Sequence, residues 1–556
     1  MVQPPAARRS PTALDLVVAL APCADVNAAR LSLCRRVGSL AVGLLGAWLI
    51  VGLALPVAAR PNVVLILCDD LNDYVEGLDG HPQARTPELR RLADSGVTFC
   101  RAYSNNPVCA PSRSSFLTGI YCHESGNLFW NKWFQNPVLR NSRTMMEHFR
   151  ANGYETVGTG KIMHHLKRDV WTHFHHEADY GPVVYDGRQR VAHPGVPQPF
   201  QSIGAIDGSY ASLGDVPFAD DANPQSGWIY GRWGKQVQPY RYASDDDRDP
   251  TPDERNAAWA AQRLRQFAAS DRDQPFFLAV GFIRPHTPLH VPQKYFDLFP
   301  LSDVQLPVIQ PDDAADTHLR EVVKPSDKGR RYFRLLSQSY SGSTEGLRAF
   351  TQAYLASVAA VDDCVGEVIR AVDGTSLKEN TIVIVTSDHG WQMGQKDFLF
   401  KNSPWEEATR VPLFIRAPGV TPAGGVAESP VSLIDLYPTL VDLCGLEGST
   451  MKNKQGKPLD GHSLRPLLQD PAVDDWTGPE AALSMVYAGD AYDGDLSKQH
   501  WSLRTRRWRY IRYGNGAEEL YDHDADPREW VNLADDPAHD EPRRRLSAML
   551  WERLQN

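Results

Sequence analysis

Cys109-Ala110-Pro111-Ser112-Arg113-Ser114-Ser115-Phe116-Leu117-Thr118-Gly119 puts a thiol nucleophile, a rigid proline, a hydroxyl and an arginine at the start of a predicted helix. A helix start presents unpaired N–H groups and a positive dipole end, and both favour a bound oxyanion. Arg113 falls four residues after Cys109, on the same helical face.

Two acidic clusters stand where a metal would be useful. Asp69 and Asp70 follow Asn62–Cys68, an unbroken apolar run that reads as a strand buried on both faces. Asp388-His389-Gly390 follows a second such run, Thr381–Thr386, in the same relative position. In open α/β sheets ligands bind beyond the carboxyl ends of the strands. Adjacent carboxylates repel, a divalent cation relieves that repulsion, and two acidic strand ends in one sheet make a hard-cation site a better account than a solvated turn. Cations come from three further stretches beside predicted strands: Gly160-Lys161-Ile162-Met163-His164, Phe282-Ile283-Arg284-Pro285-His286-Thr287-Pro288, and Phe398-Leu399-Phe400-Lys401-Asn402. A lone lysine or histidine usually serves a solvated surface; position beside strand ends argues otherwise here. His165 competes with His164, and Lys396 with Lys401.

The whole string C-x-P-S-R-x-x-x-L-T-G resembles the signature of the type I sulfatases. The resemblance implies that a formylglycine-generating enzyme converts Cys109 to Cα-formylglycine. It implies a single Ca²⁺, with Mg²⁺ as the alternative, held by Asp69, Asp70, Asp388, His389 and residue 109. Arg113 would hold the formylglycine hydroxyl or the metal ligands, and Lys161 and Lys401 would bind sulfate. Asp388 would accept the attacking proton, His286 would protonate the leaving alcohol, and His164 would assist hemiacetal collapse. The chemistry is coherent: a hydrated aldehyde carries two hydroxyls on one carbon, one to attack sulfur and one to expel sulfate. A serine or an unmodified cysteine lacks that exit.

Three features bring the chain closer to the iduronate-2-sulfatase branch: the Gly-Lys-x-x-His spacing at 160–164, Arg284-Pro285-His286-Thr287-Pro288, and Ser387-Asp388-His389-Gly390-Trp391 through Glu406 to Leu413. That branch implies a sulfated polysaccharide or oligosaccharide substrate, cut at the 2-O-sulfate of a uronic acid. The alternatives are a phosphonate or phosphodiester hydrolase of the same superfamily, and a sulfated-glycan-binding protein with unmodified Cys109. Trp130, Trp133 and Trp228 are candidates to stack on sugar faces, although burial is the commoner use of a tryptophan.

The elements that must position these residues alternate. Thr86-Pro87-Glu88 reads as a capped helix start ended by Gly96, followed by a strand at Thr98–Tyr103. Met145–Asn152 reads as a helix before a strand at Glu155–Gly160, and Glu254–Ala269 as a helix before a strand at Phe276–Phe282. The clearest helix is Glu345–Val372, with Leu347, Phe350, Tyr354, Val358, Val361, Val365 and Ile369 on one stripe. This order predicts an α/β fold with a doubly wound, mostly parallel sheet; the resemblance makes it alkaline-phosphatase-like. Residues 179–250 are irregular and rich in Gly, Pro and Asp, a segment long enough to shape a substrate pocket. Trp501–Arg512 and Glu519–Tyr521 read as a meander, and Glu541–Leu554 as a closing helix. The expected division is an extension and signal at 1–59, a catalytic domain at 60–468, and a smaller C-terminal α+β subdomain at 469–556.

Arg30, Arg35 and Arg36 precede an apolar run from Val37 to Leu55 and then Pro56-Val57-Ala58-Ala59, the pattern of an export signal cleaved after Ala59. Left uncleaved, that run has about the length a bilayer span needs. The expectation is a periplasmic or secreted protein without stable membrane association. Loss of residues 1–59 removes five arginines and two aspartates and takes the net charge from −10 to −13. Such a chain repels nucleic acid and draws an anionic substrate only through a few focused cations and a metal. Six cysteines remain (68, 100, 109, 122, 364 and 444), or five after conversion of Cys109, which argues against a full disulfide framework. Cys68 and Cys364 lie within apolar patterns and read as core.

Overall fold

The central strand of the molecule, Asn62–Asp69, is hydrogen-bonded on both sides by parallel neighbours, Phe276–Pro285 and Thr381–Ser387. The computed structural model describes residues 60–219, 226–231, 237–474, 476–489 and 494–555. Around that strand an eight-stranded sheet runs in the order Gly425–Ala427, Val97–Phe99, Leu413–Arg416, Thr381–Ser387, Asn62–Asp69, Phe276–Pro285, Glu155–Gly160 and His173–Phe174. Leu413–Arg416 is antiparallel to both its neighbours, and every other pairing is parallel.

Successive side chains of a strand point to opposite faces, so a strand buried on both faces must be apolar throughout. Val64, Ile66 and Cys68 enter one core, against helices Pro252–Ala269 and Ser343–Asp373. Val63, Leu65 and Leu67 enter the other, with Phe116, Met145, Phe149 and Leu440. The sheet is therefore doubly wound. The long helix buries its whole predicted stripe, Leu347 to Ile369.

Three local expectations differ from the structure. The stretch Thr98–Tyr103 is two strands, because a turn at Cys100–Arg101 sends Ala102–Tyr103 into a separate sheet with Arg410–Val411 and Val431–Ser432. Thr86 precedes the helix Pro87–Ser95 without capping it; its hydroxyl accepts from the Glu76 N–H instead. The Glu88 and Leu89 N–H groups are met by the Asp362 carboxylate from the long helix, each at 2.9 Å. The segment 179–250 is less irregular than expected. Val183–Tyr185 pairs with Arg190–Val191 and Gly227–Ile229, while Tyr210–Ser212 pairs with Leu289–Val291.

At the C-terminal end Ala482–Val486, His500–Arg504, Trp508–Arg512 and Glu518–Asp522 form an antiparallel sheet, closed by the helix Asp540–Gln555. Leu546 and Leu550 of that helix pack with Leu503, Tyr510 and Leu520. All six described cysteines are free, and Cys68 and Cys364 lie in the core. No helix among the described residues is long and apolar enough to cross a membrane; the run at 37–55 lies outside them.

Candidate active site

Four parallel strands end at one rim, and each hands a polar side chain to it. Asp69 closes the central strand, and the chain then turns through Asp70 at φ 63°, a left-handed conformation uncommon for a non-glycine residue. Tyr354, from the buried stripe of the long helix, fixes that turn: its hydroxyl donates to the Asp70 carbonyl at 2.7 Å and accepts from the Asn72 N–H at 3.0 Å. Asp388 follows Thr381–Ser387, Lys161 follows Glu155–Gly160, and His286 follows Phe276–Pro285. Gly160 (φ 77°) and Gly281 lie back to back there. A Cβ on Gly160 would stand 1.9 Å from the Gly281 carbonyl oxygen, and one on Gly281 would stand 2.2 Å from Lys161 backbone. Only glycine lets the two strands deliver Lys161 this close to the rim.

Cys109 is the first residue of the helix Cys109–Thr118 and is fully buried. Ser112 of this helix and Ser104 before it both donate to the Asp388 carbonyl, at 2.6 and 2.7 Å, which ties the Cys109 helix to the Asp388 loop.

The side chains form one charged cluster. Lys401 Nζ stands 3.0 Å from Cys109 Sγ and 2.7 Å from Asp70 Oδ1. His389 Nε2 is 3.3 Å from the same sulfur and 3.4 Å from Asp70 Oδ1. Lys161 pairs with Asp69. Arg113 bridges two acids, Nε to Asp388 at 2.8 Å and a terminal nitrogen to Asp69 at 3.0 Å. Of the two expectations for Arg113, it meets the carboxylates. His286 Nε2 lies 3.7 Å from Asp70 Oδ2, and its Nδ1 meets the Thr287 carbonyl at 2.5 Å, which leaves Nε2 facing the cluster. His164 interacts electrostatically with Cys109, whereas His165 turns away to the Trp130 carbonyl at 3.0 Å. Lys396, the alternative to Lys401, is committed elsewhere, to Asp313 at 2.6 Å.

The electrostatics follow from burial and these neighbours. Burial pushes the Cys109 thiol up, but the Lys161 and Lys401 ammoniums outweigh it and hold it well below the ordinary thiol range. Burial raises Asp388 to about 6 against the pull of Arg113. Burial lowers His389, yet the Asp388 carboxylate and the Cys109 sulfur carry it up to about 9. The three buried carboxylates Asp69, Asp70 and Asp388 are met by Arg113, Lys161 and Lys401.

A divalent cation fits this donor set. Ligand atoms of Asp69, Cys109, Asp388 and His389 lie within 4.8 Å of one another, as do those of Asp69, Asp70, Cys109 and His286. Asp70 Oδ2 is buried without a hydrogen-bond partner, a carboxylate oxygen that hard-cation coordination would satisfy. His389 Nδ1 lies 3.0 Å from the Gly390 carbonyl, so a neutral ring donating there would leave Nε2 free to ligate.

Buried cations and carboxylates converging on one thiol suit an anionic ester, and comparison gives the family. A sulfatase family model matches residues 61–446, and a model for the N-sulphoglucosamine sulphohydrolase C-terminal region matches 389–556. The chain belongs to the sulfatase family. It is similar to a sulfatase of Formosa agariphila, 30% identical over 482 residues, covering 85% of this chain and 83% of that protein. It is also 30% identical to the iduronate 2-sulfatase of Mus musculus over 419 residues, covering 69% of each. A phosphonate monoester hydrolase from Silicibacter pomeroyi superposes with a TM-score of 0.65 at 25% identity, covering 89% of this chain and 96% of that one. The fold of this sulfatase is accordingly alkaline-phosphatase-like, and its activity is that of a sulfuric ester hydrolase.

Sequence reasoning missed Tyr180. Its ring lies 4.9 Å from Lys161 Nζ and 5.2 Å from the His286 ring. Its only local signal was membership of the long segment expected to shape the pocket. Tyr354 was assigned to the core stripe alone, and its hydroxyl is what pins Asp70.

Proposed function

We propose that this sulfatase removes the 2-O-sulfate of a uronic acid in a sulfated polysaccharide or its oligosaccharides, with residue 109 acting as formylglycine and a Ca²⁺ held by Asp69, Asp70, Asp388, His389 and residue 109. The observation that carries the reading is the convergence of two lysines, two histidines and three buried carboxylates on Cys109. When bound, the cation would polarise the sulfate and favour the deprotonated nucleophile.

The chain's own residues supply the rest. Lys161 and Lys401 supply preorganised positive charge for the sulfonyl oxygens, in a dry site where such charge acts most strongly. Arg113 keeps Asp69 and Asp388 in register. Asp388 takes the proton of the attacking hydroxyl. His286 holds a proton at Nε2 for the departing sugar oxygen, and His164, beside residue 109, takes the proton released when sulfate is expelled. The likeness to mammalian iduronate 2-sulfatase supports the uronate reading. The partner in maturation is a formylglycine-generating enzyme, and the leader pattern at 30–59 supports export.

Parallel turnover assays test this with a 2-O-sulfated uronic acid–glucosamine disaccharide, 4-nitrophenyl sulfate and a phenylphosphonate monoester. The disaccharide is expected to have the highest kcat/KM. Preference for the phosphonate ester would replace this reading with the hydrolase activity named for the Silicibacter relative.

A further inference from the structure

Three tryptophans invited a sugar-stacking role, and the structure separates them. Trp133 and Trp228 are buried and donate their indole N–H to the carbonyls of His165 and Leu213. Trp130 is 37% exposed, the one aromatic among the exposed large hydrophobic side chains of the described residues. Its ring lies 4.8 Å from that of His164, which lines a cavity together with Ala110 and Arg113 of the Cys109 helix.

Trp130 is held in place. His165 Nε2 meets the Trp130 carbonyl at 3.0 Å, while Trp133 Nε1 donates to the His165 carbonyl at 3.0 Å, so the two segments are tied in both directions. Phe129 packs edge-on to Trp130 at 5.3 Å and stacks on Tyr487 at 4.5 Å. The Tyr487 carbonyl in turn accepts from Asn402, next to Lys401. An aromatic ledge thus runs along the rim from His164 towards Lys401.

We propose that Trp130 is the stacking platform for the sugar ring that leads out of the site, which deepens the glycan reading and rests on it. With sulfate held by Lys161 and Lys401, the leaving sugar must emerge past the rim histidines. A rigid, neutral, half-exposed indole face offers it apolar contact at little entropic cost. A chain with a negative net charge gains from such a contact, because it draws an anionic glycan closer without adding charge. The partly open face suits the C–H face of a sugar ring better than a quaternary ammonium, which favours an enclosing aromatic cage.

The test measures binding to the inactive Cys109→Ala protein, alone and combined with Trp130→Ala or Trp130→Phe. The ligands are the 2-O-sulfated uronic acid–glucosamine disaccharide, choline sulfate and inorganic sulfate. Trp130→Ala is expected to weaken the disaccharide about tenfold, Trp130→Phe to weaken it less, and inorganic sulfate to bind all three proteins alike. An unchanged disaccharide affinity, equal losses for disaccharide and sulfate, or a loss confined to choline sulfate would overturn the proposal. So would a Cys109→Ala parent that does not bind the disaccharide. Sulfate release by the unmutated enzyme, measured alongside, reports separately on the glycan sulfatase reading.

Discussion

Lys401 reaches the Cys109 sulfur at 3.0 Å while its ammonium also meets Asp70 at 2.7 Å, so one buried cation touches both the proposed nucleophile and a metal-ligand candidate. Lys401→Met is therefore expected to lower kcat by about 10²–10³, the usual effect of losing one oxyanion donor. Steady-state turnover of the disaccharide checks this, and a rise in KM with kcat unchanged would not fit.

The proposed cation would satisfy Asp70 Oδ2, a buried carboxylate oxygen without a hydrogen-bond partner. Chelation is expected to abolish turnover and lower Tm, and Ca²⁺ at a hundred times its Kd to restore about 2.7 kcal/mol of stability. Asp70→Asn should lose most of that Ca²⁺-dependent rise in Tm, read by calorimetry with and without the ion.

Much of this site was legible because its carriers are unusual in sequence. Asn62–Cys68 and Thr381–Thr386 are apolar without alternation, which happens when both faces are buried, and the acids after them then fall at strand ends. The placement of Lys161 and His286 followed from the same rule. What stayed hidden was tertiary. Thr86 had the chemistry of a cap, but Asp362, 276 residues away, takes the helix N–H groups instead. Thr98–Tyr103 reads as one strand, yet its two halves find partners in different sheets. Nothing local distinguishes exposed Trp130 from buried Trp133 three residues on.

His286 turns Nε2 towards the cluster because Nδ1 is engaged by the Thr287 carbonyl. If it protonates the leaving oxygen, His286→Gln should cost about 10²–10⁴ in kcat on the disaccharide. The loss should be far smaller on 4-nitrophenyl sulfate, whose phenolate leaves without help. Equal losses on both substrates would assign His286 to positioning.

A buried histidine of the C-terminal sheet should contribute to the loss of stability in acid. Burial pulls His500 down to about 4, and its Nδ1 accepts from the Gly514 N–H at 3.0 Å. Between the unfolded value near 6.5 and the folded value, the unfolded chain binds more protons. Stability is therefore lost as pH falls through that window, by up to about 3 kcal/mol. His500→Asn keeps an acceptor without the titration. Its Tm is expected to fall less between pH 7 and about pH 4 than that of the parent, measured by calorimetry across that range.

The central claim is that residue 109 works as an aldehyde. The direct measurement is peptide mass spectrometry of residue 109 across preparations made with and without a formylglycine-generating enzyme, set against sulfate release from the disaccharide by each. Turnover is predicted to rise in proportion to the aldehyde fraction and to vanish in Cys109→Ala. Full turnover from a preparation whose residue 109 is entirely thiol would contradict the account.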